Sequence, residues 1–204
     1  MTTTLLPVNS ILNPRDLGEI VGLDGRKIKT HRLIRTGTLT RMSDEDIQFL
    51  KNYGLTTIID LRSKSERKDH PDPQIEGVKN ISLPLSEEEG TLGGIQDLSR
   101  EDDLYHHDPH AAFKMMCDHY SDHVVKAHDQ NTVRQVLTIL AEKNGATIFH
   151  CTEGKDRTGF VVLFVLYILG VDLEVIRQDY LASNSILSAY RAERDKKFEN
   201  TGEN

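Results

Sequence analysis

The chain has 204 residues, with 25 Lys and Arg against 32 Asp and Glu, and a formal net charge of −7. This length fits one domain with a real hydrophobic core, and 37% apolar residues argue against a disordered or fibrous protein. The acidic balance argues against nucleic acid, so any anionic ligand must be held by a local positive site against the sign of the whole.

In chain order, Leu17–Val21 and Lys27–Leu33 read as strands flanking Leu23-Asp24-Gly25, because Asp-Gly is a hairpin turn signal. Ser43 is a good N-cap, residues 44–46 are acidic where a helix dipole is positive, and Gly54 is a stop, which predicts a helix between them. A buried strand is expected over Thr56–Leu61, and Val78–Leu85 adds another. Residues 86–110 are polar, acidic and Gly-rich, and are expected to form a lid or insert rather than an ordinary connection. Helices are expected over Ala111–Ala127 and Thr132–Lys143, then a strand at Ala146–His150 and a polar loop. An apolar helix at Arg157–Leu169 follows, stopped by Gly170, and Asp172 caps a helix through Ser183.

Strand, helix, strand with short connections is the rhythm of an α/β fold. The expected architecture is a mostly parallel central sheet flanked by helices on both faces, as one domain over 1–204 with a polar tail at 191–204. The start of the chain lacks the pattern of a signal peptide, and the apolar run 160–169 is about half of a bilayer span. Two cysteines, Cys117 and Cys151, do not make a disulfide scaffold. A cytoplasmic protein with no membrane span is expected.

The chemistry is concentrated in His150-Cys151-Thr152-Glu153-Gly154-Lys155-Asp156-Arg157-Thr158-Gly159. A loop feeding a helix N-terminus turns successive N–H groups into one concavity, and the helix dipole adds positive potential. Arg157 adds a planar fork suited to two phosphate oxygens, and Gly154 and Gly159 let the backbone curl and pack closely. Cys151 lies at the floor of this anion cradle. Thiols beside cations at helix N-termini titrate at roughly 3.5–7.5 instead of about 8.5, which favours the nucleophilic thiolate. A thiolate below a bound phosphate can attack phosphorus in line, and the Thr158 hydroxyl can help it leave afterwards.

This segment resembles the signature loop H-C-x5-R-[ST] of the cysteine-dependent protein tyrosine phosphatase superfamily. Its Gly-Lys-Asp-Arg-Thr-Gly version is similar to that of the atypical, mostly bacterial and fungal members that also act on phosphoserine, phosphothreonine or phosphoinositides. Other segments resemble the same subfamily in the right order over about 13–184: Asn13-Pro-Arg15-Asp16-Leu17-Gly18, Leu33-Ile-Arg35-Thr-Gly-Thr-Leu39, Asp60-Leu61-Arg62-Ser63 with Glu66, and Asp179-Tyr180-Leu181-Ala-Ser183-Asn184. The resemblance implies a phosphomonoester hydrolase, tyrosine-specific, dual-specificity or phosphoinositide-active, with no cofactor and no metal, acting on a phosphorylated protein or phosphoinositide.

On this reading Cys151, Arg157, Asp156 and Thr158 are catalytic, and Thr152, Glu153, Gly154, Lys155 and Gly159 bind substrate. The resemblance makes Asp156 the first choice as general acid; its other reading is a carboxylate that orients Arg157 or a helix-start N–H. Glu87, Asp97, Asp102 and Asp103 compete for that role. Lys155 either recruits phosphate oxygens or is an exposed lysine. His150 is expected to support the loop and bias the thiol toward thiolate. Arg15, Asp16, Arg35, Asp60, Arg62 and Glu66 are expected to form a salt-bridge network behind it.

His119 and His123, with Cys117, Asp118 and Asp122 nearby, have metal-ligand spacing but are expected to be a solvated helix face. Cys117 is expected to be a small buried hydrophobe, and a disulfide with Cys151 would be an inhibited state. The run 160–169 is expected to be buried all round. Acidic residues crowded into 86–108 imply weak steering and discrimination against highly anionic substrates. Two rivals stand: an inactive phosphate-recognition module, and a rhodanese-type sulfurtransferase, against which the Cys-to-Arg spacing and Thr158 speak.

Overall fold

A computed structural model describes residues 3–86, 110–142 and 144–201. The sheet contains β1 (Thr4–Leu5), β2 (Arg15–Asp16), β3 (Leu33–Thr36), β4 (Leu55–Asp60), β5 (Lys79–Ser82) and β6 (Ala146–His150), in the spatial order β1-β2-β3-β6-β4-β5. The β3–β6, β6–β4 and β4–β5 pairings are parallel, and the β1–β2–β3 edge is antiparallel. The helices are α1 (Asp44–Asn52), α2 (Lys64–Asp69), α3 (Ala111–Val125), α4 (Ala127–Glu142), α5 (Asp156–Ile168), α6 (Leu173–Ile186) and α7 (Ser188–Thr201).

The central strands read as apolar runs because both their faces are covered. Ile58 and Ile148 enter one core with Leu50 of α1 and the N-terminal residues Leu6 and Val8. Their neighbours Ile59 and Phe149 enter the other, with Val136 of α4, Val161 and Val165 of α5, and Ile176 of α6. The α/β sheet with helices on both faces is therefore as the sequence predicts. Its carboxyl edge, where β3, β6 and β4 end side by side, is the place where such sheets present loops to ligands.

Local signals explain the elements. Ser43 accepts from the Asp46 N–H and Asp172 from the Glu174 N–H, capping α1 and α6. Ser63 and Glu66 form a complete capping box on α2, a helix the hydrophobic pattern does not reveal.

Several expectations need correcting. The strands read at 17–21 and 27–33 lie instead at 15–16 and 33–36; positive φ at Glu19 (66°) interrupts the first, and 19–28 pair only through isolated bonds such as Glu19 N–H to Ile28 C=O (2.9 Å). The helix expected from Thr132 begins at Ala127, with Lys126 in extended conformation as its hinge from α3. Most of the expected polar tail is α7, built from strong helix formers such as Ala, Arg, Glu and Lys. The run 160–169 buries only one face: Phe160, Val161, Val162, Val165 and Leu166 are covered, while Leu163, Tyr167, Ile168 and Leu169 are exposed. Residues 87–109, including Glu87, Asp97, Asp102 and Asp103, lie outside the described residues. Among the described residues, no helix is long and apolar enough to cross a membrane.

Phe149, fully buried in β6, is the large side chain immediately behind the candidate loop. Phe149→Ala is expected to cost about 3–5 kcal/mol, read as a fall in the urea midpoint at an unchanged slope.

Candidate active site

The loop from β6 to α5 is defined by what its carbonyls do. The His150 carbonyl accepts from Leu61 N–H (2.9 Å) and the Thr152 carbonyl from Thr38 N–H (2.9 Å). The Cys151 carbonyl takes the His150 Nδ1 hydrogen (3.1 Å). Asn13 Nδ2 donates to the carbonyls of Glu153 (3.4 Å) and Gly154 (2.9 Å), and Arg35 Nη2 donates to that of Gly154 (2.7 Å). In a trans peptide the C=O of one residue and the N–H of the next point opposite ways. Tying down the carbonyls of 151–154 therefore turns the N–H groups of 152–155 to the other side, toward one concavity. Helix α5 starts next, and no side chain caps it, so its first-turn N–H groups lack intrahelical partners.

Gly154 is the one position in the loop where only glycine fits. Its φ is +69°, and a Cβ there would lie 2.4 Å from the Thr36 carbonyl carbon and 2.5 Å from Gly37 N. Gly154→Ala is expected to dislodge the loop from β3 and abolish phosphate binding, as measured by titration calorimetry with inorganic phosphate, while the sheet stays folded.

Arg157, on the first turn of α5, is buried and held by Glu66 of α2. Nη1 donates to Glu66 Oε2 (2.7 Å) and Nη2 to Oε1 (2.8 Å), and Nη2 also reaches Thr152 Oγ1 (3.1 Å). The same carboxylate accepts from Thr152 Oγ1 (2.5 Å) and from the Ser63 N–H of its capping box (2.9 Å). Burial works to raise the Glu66 carboxyl, but the hydrogen bonds and charge of Arg157 overcome it and leave the pKa at about 2. Burial likewise disfavours the Arg157 charge, and Glu66 more than restores it, so the guanidinium is held above its ordinary range.

Behind Cys151, His150 Nε2 meets Asp72 Oδ2 at 2.8 Å. Arg62 bridges Asp60 (Nε to Oδ1 2.9 Å, Nη2 to Oδ2 2.7 Å) and Asp72 (Nη2 to Oδ1 2.8 Å). Burial works to raise the Asp72 carboxyl, while His150 and Arg62 hold it below the usual range. Asp60, Asp72 and His150 are close enough together to suggest metal ligands, but Arg62 already supplies the cation at both carboxylates.

A third support lies under Gly154. Arg15 donates to the Asp179 carbonyl (2.8 Å) and Ser183 Oγ (2.9 Å), Arg35 pairs with the Asp179 carboxylate, and Asn13 reaches Ser183 Oγ (3.1 Å). Burial, with Arg35 alongside, lowers the Arg15 pKa to about 10. The expected network thus separates into three clusters, and Asp16 belongs to none of them. Its carboxylate accepts from Gly18 N–H (2.8 Å), His31 N–H (2.8 Å) and Tyr53 OH (2.7 Å), pinning the turn after β2.

At the front, Asp156 Oδ1 accepts from Tyr120 OH of α3 (2.9 Å) and Tyr180 OH of α6 (3.2 Å), and Lys155 Nζ lies 3.2 Å from Asp156 Oδ2. Glu153 turns its carboxylate outward to Arg194 (2.9 Å) and Arg191 (3.6 Å) of α7. The Thr158 hydroxyl is fully buried and makes no hydrogen bond, to Cys151 or to any other described group. His123 is not on a solvated face: it is buried, with Nδ1 on Asp129 Oδ2 (2.6 Å) and its ring 5.3 Å from that of Phe160. Cys117, expected to be buried, is exposed on α3; both cysteines are free thiols.

With this geometry in place, the likeness to known proteins has a physical basis. A sequence profile described as "Tyrosine phosphatase family" matches residues 6–204. The chain belongs to the tyrosine phosphatase family. The triple specificity protein phosphatase PtpB of Mycobacterium tuberculosis is 32% identical over 183 residues, covering 81% of this chain and 65% of that protein. A Cupriavidus necator protein provisionally named a tyrosine-protein phosphatase is 30% identical over 179 residues, covering 88% of this chain and 63% of its own length. The chain thus spans less than two thirds of the length of either relative. Among solved structures, a kinase associated phosphatase with its catalytic-site cysteine replaced by serine aligns over 88% of this chain and 85% of that one, at 14% identity and a TM-score of 0.45.

Within this family member, the sequence reading missed Asn13, Thr38, Asp72, Tyr120 and Tyr180 as parts of the candidate site. Asn13, Thr38 and Tyr180 lay in motifs already noticed, whereas nothing in Pro71-Asp72-Pro73 or around Tyr120 marks Asp72 and Tyr120.

Glu66 yields a pH prediction. Its carboxyl is lower in the folded chain than the ordinary 4.5, so its contribution is fully present above about pH 4.5 and is lost as pH falls toward 2. The difference is worth up to about 3 kcal/mol. Glu66→Gln is expected to lower the urea midpoint at pH 7 and to flatten its fall between pH 5 and pH 3.

Proposed function

We propose that this chain is a phosphomonoester hydrolase that works through a phosphocysteine on Cys151. The observation that carries the reading is the tied set of loop carbonyls, which aims the N–H groups of 152–155 at the space above a buried thiol and beside Arg157. Three of the five N–H donors of Arg157 are engaged by Glu66 and Thr152, and the other two serve phosphoryl oxygens.

In the first step the Cys151 thiolate attacks phosphorus, the S–P bond forms, and the bond from phosphorus to the leaving oxygen breaks. Asp156 gives its proton to that oxygen. In the second step water attacks the phosphocysteine, Asp156 takes a water proton, and the S–P bond breaks to return thiolate and phosphate. Thr158 donates to the departing sulfur, which gives its buried hydroxyl the partner it lacks. Lys155 exchanges Asp156 for a substrate oxygen. No step requires a metal.

Substrates are phosphorylated proteins or phosphoinositides. The matched PtpB is named a triple specificity protein phosphatase, which supports a broad reading over strict tyrosine specificity. The cytoplasm is the fitting compartment, because it keeps a thiol nucleophile reduced.

The test is hydrolysis of p-nitrophenyl phosphate in excess chelator, which should proceed undiminished. Cys151→Ser should lose more than about 1,000-fold in kcat, and acid quench should trap phosphate on Cys151 of the unaltered protein. Undiminished turnover by Cys151→Ser would sink the mechanism. A panel of phosphopeptides and phosphoinositides, assayed side by side, then ranks the substrates.

A further inference from the structure

We infer that Tyr120 and Tyr180 are positioning residues that determine which oxygen of Asp156 delivers the proton to the leaving group. The inference rests on the reading of Asp156 as general acid and deepens it.

Three oxygens from three helices form a triangle. Tyr120 OH lies 2.9 Å from Asp156 Oδ1, Tyr180 OH 3.2 Å from the same atom, and the two phenols are 2.8 Å apart. Each phenol has one hydrogen, and an ionised carboxylate only accepts. Two hydrogens serve three contacts and the carboxylate cannot donate, so Oδ1 is the acceptor corner: at least one phenol donates to it, and the second donates either to it or to the first phenol. Burial, followed for Tyr120 by the charge of Asp156, raises both phenols above their ordinary range, so both remain hydrogen-bond donors.

With Oδ1 committed, an acidic proton must reside on Oδ2. In this structure Oδ2 is occupied by Lys155 Nζ at 3.2 Å. A phosphate dianion in the cradle is the stronger partner for Lys155. Drawing the lysine away frees Oδ2 to carry the proton that passes to the leaving oxygen, and Asp156 is then left as a carboxylate. The tyrosines hold the unused oxygen still through both states.

The fold has made room for this arrangement. A Cβ at Gly159 would lie 2.9 Å from Tyr180 Cδ2 and 3.0 Å from Cε2, so the ring reaches Asp156 only across a glycine. Tyr180 also follows Asp179, the residue that pairs with Arg35 beneath the loop. One turn of α6 therefore sets both the back of the cradle and the orientation of the acid.

The experiment compares kcat/KM for p-nitrophenyl phosphate, which has a good leaving group, with that for phenyl phosphate, which needs the proton more. Unaltered protein, Tyr120→Phe, Tyr180→Phe, the double Phe variant, Asp156→Asn and the triple variant are measured, with thermal unfolding as a check on folding. The double Phe variant should lose about 10-fold or more on phenyl phosphate and less than about 3-fold on p-nitrophenyl phosphate, a selective loss that a general packing defect would not produce. In the Asp156→Asn background the Phe substitutions should add less than about 2-fold, because the group they position is gone.

Equal losses on both substrates, or full retention on both, overturn the inference. If Asp156→Asn itself keeps the leaving-group dependence of the unaltered protein, the assignment of the acid falls first and the inference with it. Each single Phe variant is judged by the same criterion, so the comparison survives if the double variant does not fold.

Discussion

Everything in this site depends on the carbonyls of the loop being fastened from behind. A peptide plane has one donor and one acceptor on opposite edges, and fixing the acceptor aims the donor. The loop residues cannot do this for themselves. The donors are Leu61 N–H after β4, the ring of His150, Thr38 N–H after β3, and the side chains of Asn13 and Arg35. Sheet order brings these segments together: β3 and β4 flank β6, and their carboxyl ends surround the chain leaving it.

The buried charges make sense on the same terms. Arg15, Arg35, Arg62 and Arg157 are all nearly inaccessible, and each meets a buried or half-buried carboxylate. Desolvation cancels much of the attraction in such pairs, so replacing a whole pair by apolar groups would change stability little, whereas removing one partner leaves a buried charge uncompensated. Their rigidity is what matters here. The negative total charge is also less of an obstacle than it first appears. Arg157 shares its charge with Glu66, and much of the positive potential comes instead from oriented N–H dipoles, which a count of side chains does not register.

The candidate loop was legible in the sequence because it is contiguous. Cys151 to Gly159 combines a thiol, a fork of donors and two glycines in nine residues, and the apolar run before it reads as a buried strand. The central strands were legible for the same local reason. What escaped was whatever depends on distant packing. Asp16 adjoins Arg15 in β2, yet it turns to the other face of the sheet, since alternate residues on a strand face opposite ways. Asp72 sits in a short irregular stretch with no periodicity to expose it. Tyr120 looks like any core aromatic until α3 is folded against α5 and α6. The register of the 17–33 hairpin was lost to two left-handed residues, Glu19 and His31, which no strand pattern anticipates.

Glu153 puts an acidic residue inside the loop proposed to hold an anion. Its backbone belongs to the cradle while its carboxylate is led away and paired with Arg191 and Arg194 on α7. The last described helix therefore acts as a counter-ion for the binding loop. If α7 were displaced, an uncompensated negative charge would be left beside the phosphate without any change to the loop's own sequence. Charge compensation in this protein is non-local, and some forty residues separate the two sides of the balance.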